Sequence, residues 1–156
     1  MTDHLLKATD IAKSYHDGER ELKVLRKASF HVSRGEVVAI VGMSGSGKST
    51  LMHLLGGLDV VDAGEIVVDG EVISKLSVSA LDRFRNSKIG FVFQFHHLLP
   101  EFNALENIMM PALIMGRPRA EIETRAREAL ENLGLSDRAT HRPSRLSGGE
   151  QQRIAL

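Results

Sequence analysis

The residues best placed to do chemistry are Gly42-Met43-Ser44-Gly45-Ser46-Gly47-Lys48-Ser49-Thr50. They read G-x-x-x-x-G-K-[ST], the spacing of a phosphate-binding loop. Gly42, Gly45 and Gly47 permit positive φ and leave bare backbone for a phosphate to approach. Amide groups at the start of a following helix converge on the anion, and the helix dipole adds positive potential. Lys48 can reach the β- and γ-phosphates of a nucleotide, and the Ser49 hydroxyl can ligate Mg²⁺. The competing reading is a dinucleotide-binding G-x-G-x-x-G turn. Gly45-Ser46-Gly47 begins that pattern, but Thr50 stands where the third glycine belongs.

Such a loop must be held between a strand and a helix. Residues 36–41 are apolar and β-branched after Glu36, as expected of a buried parallel strand, and 49–55 suit a helix. Upstream, 5–15 and 22–32 predict two strands with a turn at Asp17-Gly18. Downstream, Ala63-Gly64 opens a hairpin with arms 65–68 and 71–73, and Asp69-Gly70 suits a type I′ turn. Residues 80–86 predict a short charged helix, and 89–93 a second buried strand ending at Gln94. Asn103 and Glu106 have capping-box spacing and open a helix that ends near Gly116. Residues 119–133 carry helical apolar spacing at Ile122, Ala126, Ala129, Leu130 and Leu133, with Gly134 as the C-terminal cap.

Composition narrows the class. The 156 residues can form one sizeable core. The chain has 20 basic and 20 acidic residues, so nothing argues for a nucleic-acid partner. There is no cysteine, which suits a reducing compartment. The first four residues lack a signal-peptide pattern. The longest apolar run, residues 108–115, contains Pro111 and is far too short to span a bilayer. Any membrane role is therefore expected to run through another chain.

A second motif follows about a hundred residues after the first: Leu146-Ser147-Gly148-Gly149-Glu150-Gln151. Ser147 can cap a helix whose N-terminus, stripped to glycine at 148 and 149, would accept an anion. Ser147 with Glu150 also makes an ordinary capping box, so both readings stand on the residues alone.

Together the two motifs resemble the ATP-binding cassette (ABC) family, over essentially the whole chain. Residues 42–50 are similar to its Walker A motif. Residues 146–151 are similar to its LSGGQ signature, with Glu150 where Gln is usual. Gln94 matches the Q-loop. Tyr15 matches the aromatic residue that stacks on adenine, although a plain tyrosine at a strand end is the alternative. The resemblance implies a P-loop NTPase α/β core with an antiparallel β subdomain and an α-helical subdomain. Its implied division is a nucleotide-binding core over 1–99, a helical part over 100–145, and the signature with the start of its helix over 146–156. It implies ATP and Mg²⁺ as ligands, with Ser49 and Gln94 on the metal and Lys48 and Gln94 in catalysis. Tyr15, Gly42, Ser44, Gly45, Ser46, Gly47, Lys48, Ser49, Thr50 and Gln94 would bind one nucleotide. Ser147, Gly148 and Gly149 would close over the nucleotide of a second copy.

Within the family, residues 94–102, 104–107 and 54–59 look most like the ATP-binding subunit of the bacterial lipoprotein-releasing system. Macrolide-export and cell-division ATPases belong to the same wider group. The resemblance implies integral membrane transporter subunits as partners and a peripheral site on the cytoplasmic face of the bacterial inner membrane. Adjacent His96 and His97 point in different directions on most backbones, so they suit a surface facing a membrane subunit better than a metal site. A soluble ABC protein of DNA repair or translation would be expected to show a coiled coil or a second cassette, and this sequence has neither.

The family's catalytic carboxylates are not found. An apolar strand ending in Asp-Glu is required, and the nearest match, residues 66–69, is followed by Gly70 and suits the hairpin better. The chain therefore resembles an N-terminal part of such a protein, with its C-terminal part missing. Such a piece is expected to bind ATP and to hydrolyse it little or not at all, because phosphoryl transfer depends on positioned charge. A non-catalytic fragment is the remaining alternative.

Overall fold

Alternation of apolar and polar residues near the N-terminus builds a long hairpin. In the computed structural model, which describes residues 4–18 and 20–156, strand β1 (His4–Asp17) pairs antiparallel with β2 (Arg20–Ser33). The register runs from Asp17 opposite Arg20 back to His4 opposite Ser33, and Gly18 turns with φ +60°. Strand β3 (Ala63–Val68) pairs with the other edge of β1, and β4 (Glu71–Val72) pairs with β3. The sheet order is β2-β1-β3-β4, entirely antiparallel.

The β3–β4 turn is the expected one. Asp69 and Gly70 have φ of +50° and +81°, the two positive values a type I′ turn needs. The Asp69 carboxylate pairs with Arg34 and, at 3.1 Å, with Lys88. It is thus a turn residue held by two cations, in keeping with the hairpin reading of 66–69.

Strand β1 carries a bulge between Ala8 and Ile11. There Asp10 takes φ +49°, its N–H donates to Ser29 Oγ at 2.7 Å, and the Ser29 hydroxyl donates back to Asp10 Oδ1 at 3.1 Å. Gly64 enters β3 against this bulge with φ +88°, where a Cβ would lie 2.4 Å from the Asp10 carbonyl oxygen. The close approach requires glycine.

The chain divides into two compact units, Met1–Ile89 and Gly90–Leu156. In the first, helix α1 (Lys48–Leu55) and helix α2 (Val78–Lys88) share a core with the sheet. Ile11, Leu54 and Ile66 are its most buried side chains, joined by Ile73, Leu81 and Phe84. Helix α2 begins earlier than expected because Ser77 caps it, its hydroxyl accepting from the Ala80 N–H at 3.4 Å.

Two expected strands are not formed. Residues 36–43 have no secondary structure, and Val37 and Val41 are 96% and 88% exposed. Residues 89–93 are likewise irregular, with Val92 60% exposed. A strand exists only with a ladder partner, and neither segment has a place in the strand order. Their apolar, β-branched composition states a preference for burial but supplies no partner.

The second unit is helical: α3 (Ala104–Ile114), α4 (Arg119–Asn132) and α5 (Gly148–Ile154). Asn103 and Glu106 make the expected capping box, each side chain bonding the other's N–H at 2.9 Å. Helix α4 ends in a Schellman motif: Gly134 (φ +67°) donates to Glu131 O at 2.9 Å and Leu135 to Leu130 O at 2.8 Å. Met109, Ile122, Ala126, Leu130, Leu135, Leu146 and Ile154 form one buried cluster. Among the described residues no helix is long and apolar enough to cross a membrane.

Candidate nucleotide-binding site

The loop at 42–50 has the backbone that phosphate binding needs. Gly45 and Gly47 take φ of +78° and +87°. A Cβ on Gly42 would lie 2.7 Å from Ser46 Oγ, and one on Gly47 would lie 2.8 Å from Val24 Cγ1 of β2. Gly47 is the N-cap of α1, no side chain caps the helix, and its first turn holds no acidic residue. The amides that open α1 have no intrahelical acceptors by geometry. They lie beside Ser49 and Thr50 in a positive dipole field. Helices α2, α3 and α5 have side-chain caps, whereas α1 and α4 have none, and of these two only α1 opens from a glycine at positive φ.

Lys48 folds back over the loop. Its ammonium donates to Gly42 O at 2.9 Å, to Met43 O at 2.6 Å and to Ser46 Oγ at 3.5 Å. The cation is therefore held within the loop by the loop's own oxygens. A loop of bare amides, a helix start without a side-chain cap and a poised ammonium fit a polyphosphate. Ser49 supplies a neutral oxygen, so Mg²⁺ held there would depend on phosphate oxygens for most of its charge compensation.

Tyr15 lies at the same site. Its phenol donates to Asp59 Oδ2 at 2.8 Å, with the Thr50 hydroxyl close by. The ring is 40% exposed. The Asp59 hydrogen bond, with burial behind it, raises the phenol's pKa above the ordinary tyrosine value. Asp59 itself follows α1 by a short turn. Gly57 (φ +67°) donates to Leu54 O at 3.1 Å and Leu58 to His53 O at 2.8 Å, and Arg85 donates to Gly57 O at 2.7 Å. On the other side Lys13, only 7% exposed, donates to Asp59 Oδ1 at 2.9 Å and Val60 O at 2.8 Å. Burial alone would lower the Lys13 pKa, but the Asp59 hydrogen bond and charge, with Asp62 at 3.7 Å, outweigh it and hold the value above that of a free lysine. Burial would likewise raise Asp59, yet hydrogen bonds from Lys13, Tyr15 and the Val60 amide hold it below the ordinary value. Lys13 carries no motif of its own, and Asp59 enters the sequence reading only as the end of the 54–59 resemblance. The only local signal was a lysine at an inward-facing strand position.

Gln94 and the signature belong to the second unit. Gln94 is exposed in a bend. Near it His97 (φ +51°) packs edge-on against Phe93, ring centroids 5.1 Å apart. Ser147 caps α5, accepting from the Glu150 N–H at 3.3 Å, while Glu150 Oε2 accepts from the Ser147 N–H at 2.7 Å and hydroxyl at 2.8 Å. Arg138 Nε donates to Glu150 Oε1 at 2.8 Å. The Ser147 amide first, then Arg138 and the Ser147 hydroxyl, hold the Glu150 pKa down to about 2. The capping-box reading of this motif is therefore realised. A Cβ on Gly148 or Gly149 would meet nothing within 4 Å.

Several known proteins are similar to this chain. The family described as ABC transporter matches residues 25–156. Among solved structures, the chain is similar to the ATP-binding cassette MJ0796 in a dimeric post-hydrolysis state bound to ADP and Pi. The identity is 38% and the TM-score 0.86, over 96% of this chain and 66% of that one. A second dimeric structure of MJ0796, described as a bacterial ABC transporter cassette, matches at 38% identity and TM-score 0.86, over 97% and 67%. The cbiO1 protein of Clostridium perfringens, part of the ABC transporter complex cbiONQ, matches at 31% identity and TM-score 0.81, over 98% and 59%. The chain thus spans about two thirds of the length of the MJ0796 cassette and rather less of cbiO1.

Proposed function

The chain belongs to the ABC transporter family, and from that membership we propose that it binds Mg-ATP as the nucleotide-binding cassette of a transporter. The observation that carries this reading is Lys48 folded across a glycine loop whose helix has no side-chain cap. In this reading Gly42, Ser44, Gly45, Ser46, Gly47 and Thr50 cradle the phosphates and Lys48 neutralises them. Ser49 and Gln94 approach Mg²⁺, with Gln94 also serving hydrolysis. Tyr15 stacks on the adenine. Ser147, Gly148 and Gly149 meet the nucleotide of a second copy. That one similar cassette is described as dimeric in two structures supports the second copy as partner. The proposed division is a nucleotide-binding core over 1–99, a helical part over 100–145 and the signature segment over 146–156.

The transported substrate we propose is lipoprotein released from the inner membrane, with integral membrane subunits as partners and a peripheral place on the cytoplasmic face. The support is the resemblance of residues 54–59, 94–102 and 104–107, which also leaves macrolide-export and cell-division roles as alternatives. A relative described as part of an ABC transporter complex supports a membrane partner in general. The family's activity is ATP hydrolysis. Residues 1–156 include no apolar strand ending in Asp-Glu, so this chain by itself is proposed to bind ATP with little or no turnover.

Calorimetry with Mg-ATP tests the site. Lys48→Ala should weaken binding at least about tenfold, or about 1.4 kcal/mol. Unchanged affinity would remove the nucleotide from this loop.

A further inference from the structure

Lys13 is the one lysine among the described residues that is buried, and burying a charge needs a reason. Its ammonium sits 5.2 Å from the Tyr15 ring centroid and holds one oxygen of Asp59, while the other oxygen of Asp59 takes the Tyr15 hydroxyl. The Val60 N–H adds a third bond to the carboxylate at 2.7 Å. Asp59 stands on the turn that ends α1, and that turn is pinned by Arg85. The helix that opens with the glycine loop therefore grips the tyrosine's polar end through the turn at its far end.

We propose that Asp59, supported by Lys13, is a positioning residue that holds the Tyr15 ring as a platform for the base of a nucleotide seated on the 42–50 loop. The proposal rests on the nucleotide reading of that loop and of Tyr15. A tyrosine on an exposed strand would otherwise rotate about two side-chain bonds, and stacking would pay for ordering it. Anchoring the hydroxyl on an ion-paired carboxylate removes that freedom before the ligand arrives. Because every base presents a π-face, the platform favours nucleotides over bare polyphosphate and distinguishes adenine from guanine weakly.

The protein has a single tyrosine and no tryptophan, so its intrinsic fluorescence reports Tyr15 alone. The experiment measures binding of Mg-ATP and of inorganic tripolyphosphate to the wild type, Asp59→Asn, Tyr15→Phe and the double variant. In the wild type, ATP should bind more tightly than tripolyphosphate and should quench the tyrosine emission. Equal affinities and no quenching would overturn the base-contact reading, and the platform with it. Asp59→Asn should lose about five- to tenfold in ATP affinity while tripolyphosphate binding stays unchanged. Tyr15→Phe should do the same while leaving the Lys13–Asp59 pair intact, so it carries the test if Asp59→Asn fails to fold. The double variant should be no worse than either single one. A wild type that prefers ATP, with folded variants that keep that preference, would overturn the positioning role alone. So would equal losses for ATP and tripolyphosphate, the mark of a merely structural clamp.

Discussion

Arg138 Nε donates a 2.8 Å hydrogen bond to Glu150 Oε1, joining the turn after α4 to the first turn of α5. The same carboxylate accepts the Ser147 N–H and hydroxyl. A glutamate at this position thus completes the capping box that Ser147 opens and also accepts a guanidinium.

The pH consequence has a definite sign. Glu150 titrates near 4.5 when unperturbed and at about 2 in the folded chain. A depressed carboxylate contributes stability that is fully present above about pH 4.5. That contribution is lost as the pH falls toward about 2, because the unfolded chain binds the proton first. NMR of the Glu150 side chain should show the low midpoint, and Arg138→Ala should move it back toward the ordinary value. A midpoint unmoved by Arg138→Ala would mean that the guanidinium does not hold the carboxylate.

Gly64→Ala should be severely destabilising. Its φ of +88° strains any L side chain, and the new Cβ would lie within 2.4–2.6 Å of the Asp10 and Ile11 backbone. A loss of about 2 kcal/mol or more is expected from strain of this kind, read as a lower denaturant midpoint. Gly70→Ala, with φ +81° but open space around it, should cost less.

Leu130→Ala should destabilise the helical unit by about 2–5 kcal/mol through the cavity it leaves. Leu130 is 1% exposed at the centre of the cluster formed by α3, α4 and α5. Thermal unfolding followed by circular dichroism checks this, with the exposed Glu128→Ala as the control.

The amides of residues 36–43 should exchange with solvent much faster than those of Ile11 and Ile66. The first group lies outside the sheet, and the second lies in paired strands with almost no exposure. Exposed Val37, Val38 and Val41 beside unpaired backbone should also make the chain prone to association, visible in light scattering. Slow exchange across 36–43 in a monodisperse sample would contradict both expectations.

Features that depend on a few neighbouring residues can be read directly from the chain. The glycine loop, the Asp69-Gly70 turn, both capping boxes and the Gly134 cap were legible because each is a contract between residues one to six apart. The apolar face of α4 at Ile122, Ala126 and Leu130 was legible from its period. Helix α2 runs longer than the expected 80–86 because Ser77 caps it ahead of Val78. Tertiary structure decided the rest. An apolar run such as 36–41 announces that it wants a sheet, yet whether it is a strand depends on ladder partners that composition does not name. The Lys13–Asp59–Tyr15 cluster brings Asp59 to two residues 46 and 44 positions away, and no local pattern could show that a strand lysine and a turn aspartate meet around a tyrosine. Which polar groups find each other across such distances follows from how β1 and α1 pack, and packing belongs to the folded chain as a whole.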